Sequence, residues 1–248
     1  MRRAQAHGKF SHMPAHAYAR MLSGVPTLVA EPHPGSGPMP VVVWLHGFRA
    51  DALAHAGELE RCAAQGFLAV GLDVVGHGAR RDPLLADRVA QAAGGALPVM
   101  LDLVEQTLAE LPSLFGALGE AYTIDRERIS MVGISMGAFL AYRAVASGLP
   151  LRAVVALLGS PEWPGATSAH RSPDAFLTVA LLSITAEHDM SVPPAATARL
   201  HRALRASAPS ATAHPDHHYV LRGAGHLTSA EEWQRAMRVT LAWLGRMG

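Results

Sequence analysis

The sequence predicts an α/β fold built on a mostly parallel, doubly wound sheet, and three observations carry that prediction. Short apolar runs alternate with longer helical patterns along most of the chain. A chain of 248 residues, half of them hydrophobic and only 17% charged, is a globular chain large enough for one sizeable core. Finally, Gly133-Ile134-Ser135-Met136-Gly137 joins an apolar β-like run to a helix-forming run. That is where such sheets place reactive groups, at the carboxyl ends of their strands.

The elements follow in order. Glu31 to Pro40 is rich in Pro and Gly and reads as a surface loop, with no linker or internal repeat that would divide the chain. Residues 1–248 are therefore expected to form a single domain. Val41–Leu45, Phe67–Leu72, Ile129–Val132, Ala153–Leu158, Leu181–Thr185 and Tyr219–Leu221 read as buried strands. Asp51 is placed to cap a helix that stops at Gly66, and a helix-forming run spans Ala138–Ala146. Ser229 and Glu232 make a capping box opening a last helix, whose apolar face is Trp233, Ala236, Met237, Thr240, Leu241 and Leu244. That stripe reads as core packing.

Composition narrows the classes of function. Twenty-one basic against twenty acidic side chains, with no basic run, give no footprint for nucleic acid or an anionic membrane. Cys62 is the only cysteine, so an intramolecular disulfide framework is excluded, and a buried small apolar role is expected for it. Arg2 and Arg3 are followed by His7, Lys9, Ser11 and His12 rather than by an apolar segment, and no apolar run approaches spanning length. A cytoplasmic location without membrane insertion is expected. Fourteen histidines invite a metal, but no His-Glu-x-x-His spacing occurs and His12 with His16 is an isolated pair, so no metal and no cofactor are expected.

The pentapeptide carries the chemistry. A serine on a sharp strand-to-helix turn presents its hydroxyl free of the backbone, and glycines are needed where a side chain would strike the neighbouring strand or helix. The serine needs a base, and His226 in Arg222-Gly-Ala-Gly-His226 follows a late strand; His217 and His218 are its rivals. The imidazole needs an acid, and Asp189 follows Leu181–Thr185, with Glu187 as competitor. Oxyanion donors are expected at the N–H groups of Met136 and of Phe48 in His46-Gly47-Phe48, the latter with room to shift by one residue. His46 is expected to brace that loop, Gly47 to let the backbone approach, and Gly76-His77-Gly78 to be a structural turn.

Leu45-His-Gly-Phe48, Leu72-Asp73-Val-Val-Gly-His77-Gly78, Gly133-Ile-Ser-Met-Gly137, Asp189-Met-Ser-Val-Pro193 and Gly225-His226 resemble the motifs of α/β-hydrolases. The resemblance is to small bacterial serine esterases of the dienelactone-hydrolase and prolyl-oligopeptidase-domain group, from about residue 41 to the end. It implies the α/β-hydrolase fold with an eight-stranded sheet, a Ser135–Asp189–His226 triad, antiparallel edge strands from the first 40 residues, and no metal or cofactor. Two departures stand out: serine where dienelactone hydrolases proper use cysteine, and Ala186 where glycine is frequent before the acid.

A lid is expected between Leu158 and Leu181, about residues 159–180, too short for a large helical cap. Trp163, Pro161, Pro164 and Phe176 are candidate pocket residues there, with Phe48, Met136 and a second wall from Leu84 to Met100. No fixed cation for a charged substrate stands out, although Arg49, Arg80 and Arg81 near expected loop ends leave room for one. The expected substrate is a small or medium carboxylic ester cleaved through an acyl-enzyme on Ser135. Thioester or amide cleavage uses the same machinery, and a non-catalytic small-ligand-binding protein is the reading of another class.

Overall fold

A computed structural model describes residues 16–33, 35, 37–207 and 216–247. His12, Arg2 and Arg3, named above, lie outside the described residues. The elements run β1 (Tyr18–Leu22), β2 (Val25–Ala30), β3 (Met39–Leu45), α1 (Ala56–Ala64), β4 (Leu68–Leu72), α2 (Leu85–Gln91), α3 (Ala96–Ala121), β5 (Ile124–Ile134), α4 (Met136–Ala146), β6 (Ala153–Leu157), β7 (Ala180–Ala186), α5 (Ala195–Ser207), β8 (Asp216–Leu221) and α6 (Ala230–Met247). One eight-stranded sheet takes the order β1-β2-β4-β3-β5-β6-β7-β8. β1 pairs with β2, and β2 with β4, antiparallel; every other pair is parallel. The first strands are thus the antiparallel edge that was expected of them.

Alternation along β3 shows how the sheet is covered. Val41, Val43 and Leu45 face a core shared with Leu103, Leu111 and Leu118 of α3, Phe139 and Tyr142 of α4, and Leu200 and Leu204 of α5. Val42 and Trp44 face the opposite core, with Leu59 and Cys62 of α1 and Met237, Trp243 and Leu244 of α6. Helices cover both faces, which is why the parallel strands are apolar at nearly every position. Cys62 is buried there, and burial pushes its thiol up to about 12, so it stays a protonated apolar filler.

Local signals placed most ends well. Asp51 accepts from the Ala54 N–H, but it caps a short 3-10 helix, Ala52–His55, that leads into α1. The Ser229–Glu232 capping box is present in both directions, at 2.6 and 3.3 Å. On α6 the buried stripe includes Trp243, while Trp233 and Leu241 are only half-buried. Periodicity put the stripe on the right face but was off by one turn's edge. The 26-residue α3 has no clear signal in the sequence, because Gly94 and Gly95 stand just before it and Pro98 and Pro112 lie within it. Tertiary burial of its apolar stripe overrides them. Among the described residues, no helix is long and apolar enough to cross a membrane.

Candidate active site

Ser135 stands between β5 and α4 with φ 51° and ψ −112°, a conformation that L-residues avoid. The fold holds it there from both sides. The Ser135 N–H donates to Leu157 O of β6 at 2.8 Å, and α4 starts one residue later. A Cβ at position 133 would meet Gly137 O at 2.1 Å, and one at 137 would meet Leu45 O at 2.3 Å, so both flanking glycines are sterically required. Gly47 differs from its expectation: a Cβ there would lie 3.6 Å from Ile134 O and Ser135 Cβ, ordinary contact. The close backbone approach is made at 137 against the end of β3.

His226 brings its Nε2 to 3.1 Å from Ser135 Oγ, and its Nδ1 to 2.7 Å from Asp189 Oδ2. Asp189 Oδ1 accepts the N–H groups of Ser191 and Val192 at 2.9 and 2.7 Å, which fixes the carboxylate in the turn after β7. A carboxylate at Nδ1 leaves the proton on that nitrogen and a lone pair on Nε2, facing the serine. Glu187 is directed elsewhere, to Arg222 and the Gly223 N–H. His218 bonds Thr185 Oγ1 and stacks on His201 inside the fold, and His217 lies exposed on β8. Of the three histidine candidates, His226 is the one the fold sets beside Ser135.

The loop after β3 is braced from below. The buried His46 donates from Nδ1 to Gly47 O at 2.8 Å and accepts the Val74 N–H on Nε2 at 3.0 Å. Burial pushes its pKa down to about 4, which keeps it the neutral, two-way connector this geometry needs. Asp73 ties the neighbouring turn by accepting from Ala52 N–H and Ala79 N–H at 2.9 and 2.8 Å. His77, also held neutral by burial, packs against His46 and edge-on to Phe48, each at 5.3 Å. Phe48 N–H takes no acceptor among the described residues, and Met136 N–H, opening α4, has none within its helix. The Met136 side chain is buried in the core, so only its backbone faces Ser135.

A cleft of about 500 Å³ opens at the pair, lined by Ser135, His226, Phe48, Trp163, Phe139 and Met100 among others. The 159–180 segment forms only two short 3-10 turns, Ala169–Arg171 and Pro173–Thr178. Trp163 is nevertheless fixed: its N–H donates to Ser168 Oγ, its Nε1–H to Thr167 Oγ1, and its ring packs on Phe139 at 5.7 Å. Two residues named from the sequence fall elsewhere, since Phe176 packs on Tyr142 in the core and Pro161 does not line the cleft. Leu97 and Met100 come from the first turns of α3, at the end of the Leu84–Met100 wall. Phe139 was missed, although its position four residues past Ser135 puts it on the same helical face. Glu162 also faces the cleft, and Arg199 beside it holds its carboxyl below the ordinary range. Among the described residues, no group of three or more His, Cys, Asp or Glu is placed to hold a metal.

Comparison with known proteins agrees with this architecture. Esterase YjfP of Escherichia coli is 27% identical over 143 residues, 57% of this chain and 54% of that protein. The chain thus spans about half the length of the curated relatives it matches. TT1662 from Thermus thermophilus superposes with a TM-score of 0.77 at 22% identity, over 95% of this chain and 98% of that one. A puromycin-hydrolyzing peptidase of Mycobacterium tuberculosis gives 0.70 at 19% identity, over 94% of this chain but 40% of its own. At these identities the structural likeness concerns the fold, which is that of the α/β-hydrolases. Residues 25–247 match the dienelactone hydrolase family from its β2 onward, and the chain belongs to that family.

Proposed function

We propose that this protein is a serine hydrolase of carboxylic esters of small or medium size, acting through an acyl-enzyme on Ser135. The observation that carries the reading is the linear contact Ser135 Oγ–His226 Nε2–Nδ1–Asp189 Oδ2, at 3.1 and 2.7 Å. Ser135 Oγ attacks the carbonyl carbon while its proton passes to His226 Nε2. The resulting oxyanion is held by the N–H groups of Phe48 and Met136. Collapse breaks the carbon–oxygen bond to the alcohol, which leaves with the proton from His226. Water then repeats the sequence on the acyl-enzyme, its proton going to His226, and frees the acid and Ser135. Asp189 keeps the imidazole in the right tautomer and offsets its charge when protonated.

The cleft supports a neutral acyl group, since its carbon surface from Trp163, Phe139, Met100 and Leu97 holds one carboxylate, Glu162, already paired with Arg199. Hydrolysis of p-nitrophenyl esters and labelling by a fluorophosphonate test the reading together. Both are expected in the native protein and absent in Ser135→Ala. Turnover or labelling that persists in a folded Ser135→Ala protein overturns it.

A further inference from the structure

Beside the cleft lies a second hollow of about 440 Å³, lined by chain neighbours of the proposed machinery. Gly47 precedes Phe48, Ile134 precedes Ser135, and Thr228 follows His226 by two; Ala54, His55, Ala230 and Trp233 are also part of the wall. We propose that this hollow is a leaving-group subsite, which takes the alcohol part of the ester and favours aryl or other flat apolar alcohols. The inference rests on the ester-hydrolase reading above and adds the side on which specificity for the alcohol is set.

The reaction supplies the direction. His226 Nε2 must return its proton to the departing oxygen, so the group attached to that oxygen leaves past the histidine loop. The cleft walled by Trp163 and Met100 remains for the acyl part. The hollow is suited to a ring. Trp233 Nε1–H donates to Glu58 Oε1 at 3.0 Å, so the half-buried indole is held in place rather than free to turn. Its ring lies 6.0 Å from that of His55, which lies 6.0 Å from Trp44, a row of three aromatic rings. Burial keeps His55 below its ordinary pKa, and neither Lys nor Arg lines the hollow, so nothing there calls for an anion.

The test compares esters that share one acyl group, methyl butyrate and 2-naphthyl butyrate, in the native protein and in Ala54→Trp and Ala230→Trp. Each variant adds a ring to the hollow at an exposed helical position, and thermal unfolding verifies that it folds. The ratio of kcat/KM for the naphthyl to the methyl ester is expected to fall about tenfold or more relative to the native protein. The p-nitrophenyl acyl-length profile is expected to keep its maximum. Leu53→Trp, which places the same indole outside the hollow, is expected to leave the ratio within about twofold. An unchanged ratio in both filled variants, or a displaced acyl-length maximum, overturns the subsite alone. If native turnover does not depend on Ser135, the hydrolase reading has failed and the subsite falls with it.

Discussion

Asp189 and Glu187 stand two residues apart at the end of one strand, and the sequence does not separate them fully. The structure does so through their partners. Asp189 is 3% exposed and bound to His226 and two backbone N–H groups, whereas Glu187 holds Arg222 and a glycine N–H at the surface. Asp189→Asn is expected to lower kcat by about 10³ to 10⁴, because the amide stabilises the wrong imidazole tautomer, with a much smaller change in KM. Glu187→Gln is expected to stay within a few-fold of the native rate, because it gives up only an exposed pair. Steady-state kinetics on one p-nitrophenyl ester checks both. At the same scale, Gly137→Ala places a methyl 2.3 Å from Leu45 O and forces β3 or α4 to move. Its unfolding free energy is expected to drop by about 2 to 4 kcal/mol, with loss of activity, as read by denaturant titration and ester turnover.

Elements matter here as mounts. β3, β5 and β6 are neighbouring parallel strands, and the positive-φ residues Arg49, Ser135 and Leu158 stand at or just past their carboxyl ends. Each such conformation costs about 1 to 3 kcal/mol, which only a rigid sheet sustains. The β3 loop is mounted on the β4 loop through His46, which accepts the Val74 N–H, and Asp73, which accepts the Ala52 N–H. His46→Ala leaves the buried Val74 N–H without its acceptor and releases the segment that carries Phe48. A loss of about 2 to 4 kcal/mol of stability is expected in denaturant titration. If Phe48 is a donor to the oxyanion, kcat falls with it while KM moves little.

Across the whole molecule, buried imidazoles set the response to acid. His46, His55, His77, His201 and His218 all have pKa values lowered by burial, His46 and His218 to about 4. Each is neutral in the fold and protonates near 6.5 once unfolded, so its contribution is complete above pH 6.5 and is lost as pH falls toward the folded value. At His46 the difference is worth roughly 3 kcal/mol at 1.36 kcal/mol per pH unit. Asp216, bonded to His201 Nδ1 at 2.8 Å, offsets part of that loss for its partner. Stability is therefore expected to be flat from pH 7 to 8 and to drop steeply between pH 6 and 4, as measured by thermal unfolding across that range. His46→Gln is expected to flatten the drop.

What the sequence determined by itself is whatever depends on spacing along the chain. Gly133-x-Ser135-x-Gly137 forces a strained turn because two Cβ atoms cannot fit, and the unbroken apolar run Val41–Leu45 calls for a sheet covered on both faces. The order of Ser135, Asp189 and His226, after the ends of β5, β7 and β8, follows from the same local patterns. Tertiary structure alone decided what depends on neighbours far apart in sequence. It buried α3 in spite of its glycines and prolines, turned Phe176 into the core, and brought Phe139, Leu97 and Met100 around one cleft. It also set Trp233 beside His55 across 178 residues of chain. Local sterics fix a turn, but the shape of a pocket is the sum of side chains from unconnected elements, and no period in the sequence records it.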